Sequence, residues 1–285
     1  MIDQKLSAVA AVDSPFRGPE PESAVTVPTA SSSRGLVIQF LEWFGDLGTF
    51  FWQVLRAGVT PPFEFRELFR QLDEIGSKSL PLVALAGAAT GIVLSMEARY
   101  SLTRFGAKSL LPAAIVFSII HETGPIITGL VVSGRVGAGI GAELASMKVT
   151  EQIDAIEASA VNPYRLLAAT RILACILMLP LLTLAADACG LVTGWVTQAM
   201  VEPVSLHQFI NSGFNGADFN DLLPPTFKTA VFGLIIGLIA CFQGMRTRGG
   251  AAGVGRAATS SVVLSGLFVI LADVVLVKLI IVFFP

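Results

Sequence analysis

Five long apolar runs constrain this chain more than any other feature of its sequence. Each run has about the 20 residues that an α-helix needs to cross a hydrocarbon layer of roughly 30 Å. Of the 285 residues, 53% are hydrophobic and 14% are charged. The sequence therefore predicts an all-α integral membrane protein with five transmembrane helices. These spans are predicted at about residues 80–100, 109–134, 166–199, 226–245 and 257–284.

The third run is longer than one crossing requires. As a single helix, residues 166–199 would be about 51 Å long, and the run contains Pro180 and Asp187. It could form one tilted span or a re-entrant hairpin. Because no turn-forming sequence interrupts it, one span is the favoured interpretation.

The N-terminal region differs from the rest of the chain. Residues 1–34 are rich in Pro, Ser, Ala and Glu, so a disordered tail is predicted there. Residues 36–59 are apolar and aromatic but interrupted by charges, and Trp43 and Trp52 suit the lipid–water boundary. This pattern predicts an interfacial helix, with a true span as the alternative. Residues 35–285 are predicted to form one domain.

The distribution of Lys and Arg predicts the orientation. Cations cluster before the first span, after the second and after the fourth, whereas residues 172–227 contain none. We therefore expect a multi-pass membrane protein with a cytoplasmic N-terminus. A predicted loop at residues 99–108, with three cations on the opposite side, is the exception.

Several ionisable residues fall within apolar runs. Glu122 lies near the centre of the second run, where an uncompensated charge costs about 2.5–3.5 kcal/mol on insertion scales. Asp273 is equally central in the last run, and Arg135 and Lys278 are poorly placed to neutralise the two acids. His121 is therefore predicted to be the nearest titratable neighbour of Glu122. The candidates for a lipid path or a buried charge are Glu97, His121, Glu122, Asp187 and Asp273.

A bend and a close-packing face are predicted directly after Glu122. Pro125 has no N–H, so the carbonyl of His121 loses its helical donor and the helix is expected to bend. Glu122 could alternatively do no more than cap this bend. The residues predicted for the bend and for close helix packing are Gly124, Pro125, Gly134, Gly137 and Gly141.

An amphipathic helix is predicted between the second and third spans. In residues 150–160, Glu151, Asp154 and Glu157 recur on one face while apolar residues lie on another. Such a helix could dock into a groove of a soluble partner. A solvated surface helix explains the spacing equally well.

Common catalytic and ligand-binding motifs are missing from the sequence. It contains two histidines, no HExxH zinc pair and no phosphate-binding loop of the GxxxxGK[ST] type. Its three cysteines sit singly in apolar runs, as buried small residues do. The sequence has no basic arm of the kind that binds nucleic acid. We therefore predict no catalytic residues, no metal site and no cofactor bound by this chain.

The segment from 122 to 163 resembles the central signature of the Mla-type permeases. These are membrane subunits of ABC transporters that work with MCE proteins to move lipids. The resemblance rests on five short motifs, at residues 122–125 (ETGP), 134–137 (GRVG), 142–144 (AEL), 147–153 (MKVTEQI) and 161–163 (VNP). Residues 253–259 (GVGRAAT) are similar to the family's last cytoplasmic loop. The departures from the usual pattern are His121 for Arg, Thr123 for Leu, Lys148 for Arg and Asn162 for Asp.

The resemblance implies a homodimer in a bacterial inner membrane, with five spans and an interfacial helix. Within a segment at about 135–163, a cytoplasmic coupling helix would contact a separate ATPase that uses ATP, and the outer face would meet a periplasmic MCE-domain protein. The substrate would be a phospholipid or a related lipid. The implied coupling residues are Arg135, Glu143, Lys148, Glu151, Asp154 and Glu157. Two alternatives are an intramembrane lipid-modifying enzyme using His121 and Glu122, and a non-transporting channel or scaffold.

Overall fold

The computed structural model describes residues 33–59, 64–215 and 219–283, and all regular structure in these ranges is helical. The predicted disordered tail lies outside them, apart from its last two residues, which begin helix α1 (Ser33–Val59). By internal contacts the chain divides into Met1–Gly45 and Asp46–Pro285. All packing described below lies within the larger unit, which includes α1 from Asp46 onward.

The second half of α1 packs by one aromatic face. The ring of Phe50 lies 5.7 Å from that of Tyr164 and 5.6 Å from that of Phe242, both edge to face. Trp52, on the opposite face, is exposed. Two-sidedness of this kind is typical of a helix lying at an interface.

In the described ranges, five helices are long and apolar enough to cross a membrane, which confirms the predicted fold class. They are Phe65–Arg104, Lys108–Val149, Tyr164–Ala199, Leu223–Met245 and Gly250–Phe283. Most extend beyond the predicted spans because charged segments at their ends continue the same helices. The charged lead-in before residue 80, for example, belongs to α2 (Phe65–Arg104), which continues through Pro81.

The second spanning helix is composite. Its α-helical parts are α3 (Leu111–Ser118), α4 (Gly124–Val132) and α5 (Ala138–Val149). π-Helical turns join them at Ile119–Thr123 and Ser133–Gly137. The predicted coupling segment, at about 135–163, therefore begins inside this helix, which continues to Val149. An intrahelical bulge of this kind is common at functional sites.

The third run is one continuous helix, as predicted. A π-helical turn at Tyr164–Ala169 leads directly into α7 (Thr170–Ala199), which passes through Pro180 without a break. The hairpin alternative is therefore excluded.

The segment between the predicted third and fourth spans, at residues 200–225, contains a helix that the sequence analysis did not predict. Helix α8 (Leu206–Gly213) begins at Ser205, whose Oγ accepts a hydrogen bond from the Gln208 amide at 3.2 Å. Phe209 is buried in a cluster of apolar residues from α3. The next helix, α9 (Phe219–Met245), begins before Pro224 and Pro225 rather than after them.

Helices α2 and α7 pack most extensively, because glycines let their backbones approach. A Cβ at Gly91 would overlap the carbonyl oxygen of Gly190. Ser95 Oγ donates to the Gly194 carbonyl at 3.1 Å, and Thr193 Oγ1 donates to the Ala88 carbonyl at 2.8 Å. The pair is therefore held by backbone contact and by side-chain hydrogen bonds to the facing backbone.

We expect Gly91→Ala to destabilise the protein by about 1–3 kcal/mol or more, because a backbone oxygen cannot move aside as a side chain can. Thermal unfolding in detergent measures this loss. Gly255→Ala is the matched control, since a Cβ there meets nothing within 4 Å and Ala favours a helix interior over Gly. Equal stability of the two variants would contradict the close packing.

Two cationic side chains form ion pairs with one carboxylate at the α8 end of the bundle. Arg99 and Arg104 lie within α2 rather than in the predicted loop, and Lys108 begins a 3₁₀ turn. The Glu202 carboxylate lies 3.1 Å from Lys108 Nζ and 2.9 Å from Arg99 Nη2. The hydrogen bond from Lys108, together with the charges of Lys108 and Arg99, lowers the pKa of Glu202 below its ordinary value of 4.5.

This lowered pKa predicts a pH-dependent contribution to stability. The contribution is present above about pH 4.5 and is lost as the pH falls through the lowered pKa, because protonation removes the ionic partner of Lys108. Glu202→Gln should therefore lower the melting temperature slightly at pH 7, with a difference from wild type that shrinks below pH 4.5. Glu97→Gln, at an exposed carboxylate near the same end, should show no such change. A difference that grows on acidification would refute the pairing.

A buried lysine among carboxylates

The ammonium group of Lys228, on α9, lies among acids from two other helices. Its Nζ is 2.9 Å from Asp273 Oδ1 on α10 (Gly250–Phe283) and 3.4 Å from Glu122 Oε2 in the first π-helical turn. Lys228 is only 3% exposed and Asp273 only 6%. A buried cation needs a nearby anion, because water solvates neither the Lys228 ammonium nor the Asp273 carboxylate at this depth. We call Glu122, Asp187, Lys228 and Asp273 the central cluster.

The interruption of the helix at Pro125 provides Lys228 with a third partner. Because proline has no N–H, the carbonyl of His121 lacks its α-helical donor. Lys228 Nζ donates to this oxygen at 2.7 Å. The predicted loss of the helical partner is thus compensated by a side chain from α9, and the lysine links the π-helical turn to α10.

Asp187 completes the central cluster from α7. It is 5% exposed, and its Oδ1 has no hydrogen-bond partner among the described residues. The same oxygen occupies the space beside Gly124, where a Cβ would overlap it. Gly124 therefore lets a carboxylate approach the helix backbone closely. The cluster holds three acidic groups and one basic group.

The predicted charged residues do not all meet in this cluster. The structure brings Glu122, Asp187 and Asp273 together, but Glu97 is exposed near the end of α2, so its place in a buried charge group was wrong. His121 stacks on Phe117 with ring centroids 4.0 Å apart. The prediction that His121 is the nearest titratable neighbour of Glu122 was also wrong, because Lys228 holds that position.

An apolar cavity of about 440 Å³ lies between α9 and α10 beside the cluster. Among its described lining residues, Lys228 alone is charged. The walls include Phe227, Val231, Leu276 and Ile280. The arrangement can accept an alkyl chain along its walls and an anionic group at the lysine.

The coupling candidates lie partly on the composite spanning helix and partly at the short helix that follows it, α6 (Gln152–Ala158). Arg135 donates to Ser79 Oγ on α2 at 2.7 Å. Glu143 on α5 lies 2.8 Å from Arg171, a residue of α7 that is only 1% exposed. Both residues therefore tie spanning helices together within the chain, and neither lies on the predicted coupling helix.

The predicted coupling helix is shorter than expected. Helix α6 covers Gln152–Ala158, and Glu151 precedes it with a left-handed φ of 58°. Asp154 and Glu157 are exposed whereas Ile153 is 4% exposed, so the expected polar and apolar faces are present. Lys148 Nζ lies 2.7 Å from Asp154 Oδ1, which joins the end of α5 to α6.

The predicted packing glycines behave differently from one another. A Cβ at Gly141 would overlap Ser261 Oγ on α10, whereas one at Gly137 would make only an ordinary contact with Ser265 at 3.4 Å. A Cβ at Gly134 would meet nothing within 4 Å. Of the three, Gly141 alone is required for close packing within this chain.

A sequence model of the permease MlaE matches residues 68–279 of the chain. This range includes all four residues of the central cluster, the composite helix and α6. The chain belongs to the MlaE permease family.

Relatives of this permease occur in bacteria and plants. A probable ABC transporter permease protein of Rickettsia felis is 34% identical over 250 residues, covering 88% of this chain and 96% of the relative. A probable ABC transporter permease protein of Synechocystis is 31% identical over 249 residues, covering 85% and 93%. The chloroplastic protein TRIGALACTOSYLDIACYLGLYCEROL 1 of Arabidopsis thaliana is 32% identical over 224 residues, covering 79% and 64%. This permease is thus a multi-pass membrane subunit of a transporter.

Sequence reasoning missed the residue on which the permease's central cluster depends. Lys228 was placed within the predicted fourth span, at residues 226–245, but was not matched with an acid. Two signals were available: this run contains one lysine, and two other runs each contain a carboxylate near the middle. Because the partners are 45 and 106 residues from Lys228 along the chain, spacing within one helix could not pair them.

We expect Lys228→Met to destabilise the permease by about 3–5 kcal/mol, because Asp273 would be left buried without its cation. The double variant Lys228→Met with Asp273→Leu should recover most of this loss. Unfolding of each single variant and of the double variant in detergent gives the coupling energy. Lys278→Met is the control at an exposed lysine of α10. Losses that simply add in the double variant would show that the two residues do not stabilise each other.

Proposed function

We propose that this chain is the permease subunit of an ABC transporter that moves phospholipids or related lipids between the bacterial inner membrane and a periplasmic MCE-domain protein. The observation that carries the proposal is the apolar cavity between α9 and α10, in which Lys228 is the one charged group among the described lining residues. A lipid presents the same combination, an alkyl chain beside an anionic phosphate. The name of the Arabidopsis relative, which refers to a trigalactosyl diacylglycerol, agrees with a lipid cargo.

The central cluster provides a way to hold and release such a lipid. Lys228 is already neutralised by Asp273, so a phosphate group must compete with a carboxylate for the ammonium. The side chain of Glu122 is 42% exposed and stands next to the same ammonium. Exchange between carboxylate and phosphate keeps the lysine paired at each stage and avoids the cost of a bare buried charge.

The proposed transporter contains two copies of this chain. Helix α10 carries a stripe of exposed apolar residues at helical spacing, formed by Val263, Leu267, Ile270 and Val274. A stripe of this kind packs against lipid or against another helix. In the proposed homodimer, the second copy packs against this stripe, on the face of α10 opposite the cavity.

ATP is used by a separate ATPase subunit in this proposal, and the chain itself holds no cofactor and performs no catalysis. The exposed acidic face of α6 is the proposed contact with the ATPase. Helices α4 and α5 and the two π-helical turns form one continuous helix. A displacement of α6 by the ATPase would be transmitted along this helix to Glu122 in the central cluster. The ion pair between Arg171 and Glu143 holds this helix against α7.

The proposed orientation places α6 and the N-terminus in the cytoplasm and α8 in the periplasm. The cations of residues 99–108 opposed this orientation in the sequence. The three groups of cations at the opposite end of the spanning helices outnumber these three residues. The remaining Lys and Arg distribution therefore favours the proposed orientation.

Charge reversal on α6 tests the coupling. The double variant Glu151→Lys with Glu157→Lys avoids Asp154, which is already engaged by Lys148. We expect at least a tenfold loss of ATP-driven lipid transfer, with normal folding, when permease, ATPase and MCE protein are reconstituted in vesicles. The expected loss corresponds to about 1.4 kcal/mol of interface energy. Glu97→Lys, at an exposed carboxylate near the α8 end, is the matched control.

Three results would refute the proposal or its account of coupling. Conversion of lipid to a new chemical product by the purified permease alone would favour the enzyme that uses His121 and Glu122. Failure of the wild-type permease to bind or stimulate any ATPase would favour the channel or scaffold. Equal transfer by the double variant and by wild type would remove α6 from the coupling.

A further inference from the structure

A second apolar cavity lies beneath the C-terminal half of α1. Its volume is about 260 Å³, and helices α1, α2, α7 and α9 all contribute to its walls. The apolar walls include Val54, Leu68, Ala169, Ile172, Ile176 and Leu234. Neither Lys228 nor any other member of the central cluster lines it.

This cavity carries an arginine that lacks an anionic partner. Arg165, at the start of the helix that continues into α7, lines the cavity, and its Nε is buried without a hydrogen-bond partner. In the part of the chain that the structure describes, no carboxylate lies within ion-pair distance of its guanidinium. A partly buried guanidinium without an anion is costly. Its fork of N–H donors matches the oxygens of a phosphate group.

The surroundings of the cavity suit an amphiphile. Leu55, Phe65 and Leu173 line it and are each more than 40% exposed, so an apolar surface leads out from the cavity to the side of the bundle. Glu64 also lines the cavity but forms no ion pair with Arg165. One wall therefore offers a cation for a phosphate, and another offers an anion for an ammonium group.

We propose that this cavity binds one resident glycerophospholipid per chain, with its phosphate on Arg165 and one acyl chain between α1 and α7. Glu64 makes a zwitterionic headgroup with an amine, such as phosphoethanolamine, the preferred species. The bound lipid fastens α1 to the spanning helices and is not cargo. The proposal requires a membrane-embedded chain but does not depend on lipid transport.

Native mass spectrometry of the full-length protein tests this site. The delipidated protein is titrated with dioleoylphosphatidylethanolamine, dioleoylphosphatidylglycerol and dioleoylglycerol. We expect one phosphatidylethanolamine per chain to bind about tenfold more tightly than the other two lipids, because charge-assisted contacts to Arg165 and Glu64 are both available to it. Similar affinities for dioleoylglycerol and the phospholipids would show that only nonspecific apolar contact occurs.

Variants of the cavity separate the contributions of charge and space. Arg165→Gln should weaken phosphatidylethanolamine binding about tenfold, whereas Arg248→Gln, at an exposed arginine outside the cavity, should leave it unchanged. Leu173→Trp should also weaken binding, because it fills the apolar space without changing charge. Glu64→Gln should reduce the preference for phosphatidylethanolamine over phosphatidylglycerol.

The proposal is overturned if Arg165→Gln and Leu173→Trp both bind phosphatidylethanolamine as wild type does while remaining folded by circular dichroism. Equal wild-type affinity for the two phospholipids would overturn the role of Glu64. Because binding is read without ATP or ATPase, a negative result here does not bear on transport through the α9–α10 cavity, and the two proposals fail separately.

Discussion

Burial of one ammonium group explains much of the arrangement around the centre of this bundle. Lys228 has almost no access to solvent, so the helices around it must supply anions and acceptors within about 3 Å. Asp273 provides a charge from α10, and the carbonyl of His121 provides an acceptor from the π-helical turn. Three segments distant in sequence are thereby brought to one point.

Pro125 and Gly124 contribute to the same arrangement around Lys228. Pro125 removes an amide and so exposes a backbone acceptor, which would be costly at this depth without the lysine. Gly124 has no side chain and so leaves room for the carboxylate of Asp187. The irregular turn therefore contributes both an acceptor and space, and a regular helix with a bulky residue at these positions would provide neither. This is a physical reason for a π-helical turn in the middle of a spanning helix.

The bundle combines tightly packed and open surfaces. Helices α2 and α7 are in backbone contact through Gly91 and Gly190, which leaves little freedom for relative movement. In contrast, α10 exposes an apolar stripe and shares an open cavity with α9. A Cβ at Gly233 of α9 would likewise overlap the carbonyl oxygen of Cys175 on α7. For the proposed transport, movement that admits a lipid is therefore expected at α10, with α2, α7 and α9 as the fixed frame. The cavity beneath α1 lies against this frame, which suits a lipid that stays bound.

The sequence by itself determined the class of fold, the five spanning helices and the amphipathic character of residues near Ile153, because all of these follow from the local periodicity of apolar residues and from their number. It also placed Glu122 and Asp273 at depth within their helices. Only the tertiary structure decided which cation neutralises them, that Glu97 is exposed, and that Glu143 pairs with Arg171. Local periodicity determines how deep a residue lies and which face it occupies. The identity of its partner depends on how helices far apart in the chain are rotated and packed, and that is set by the summed contacts of the whole bundle.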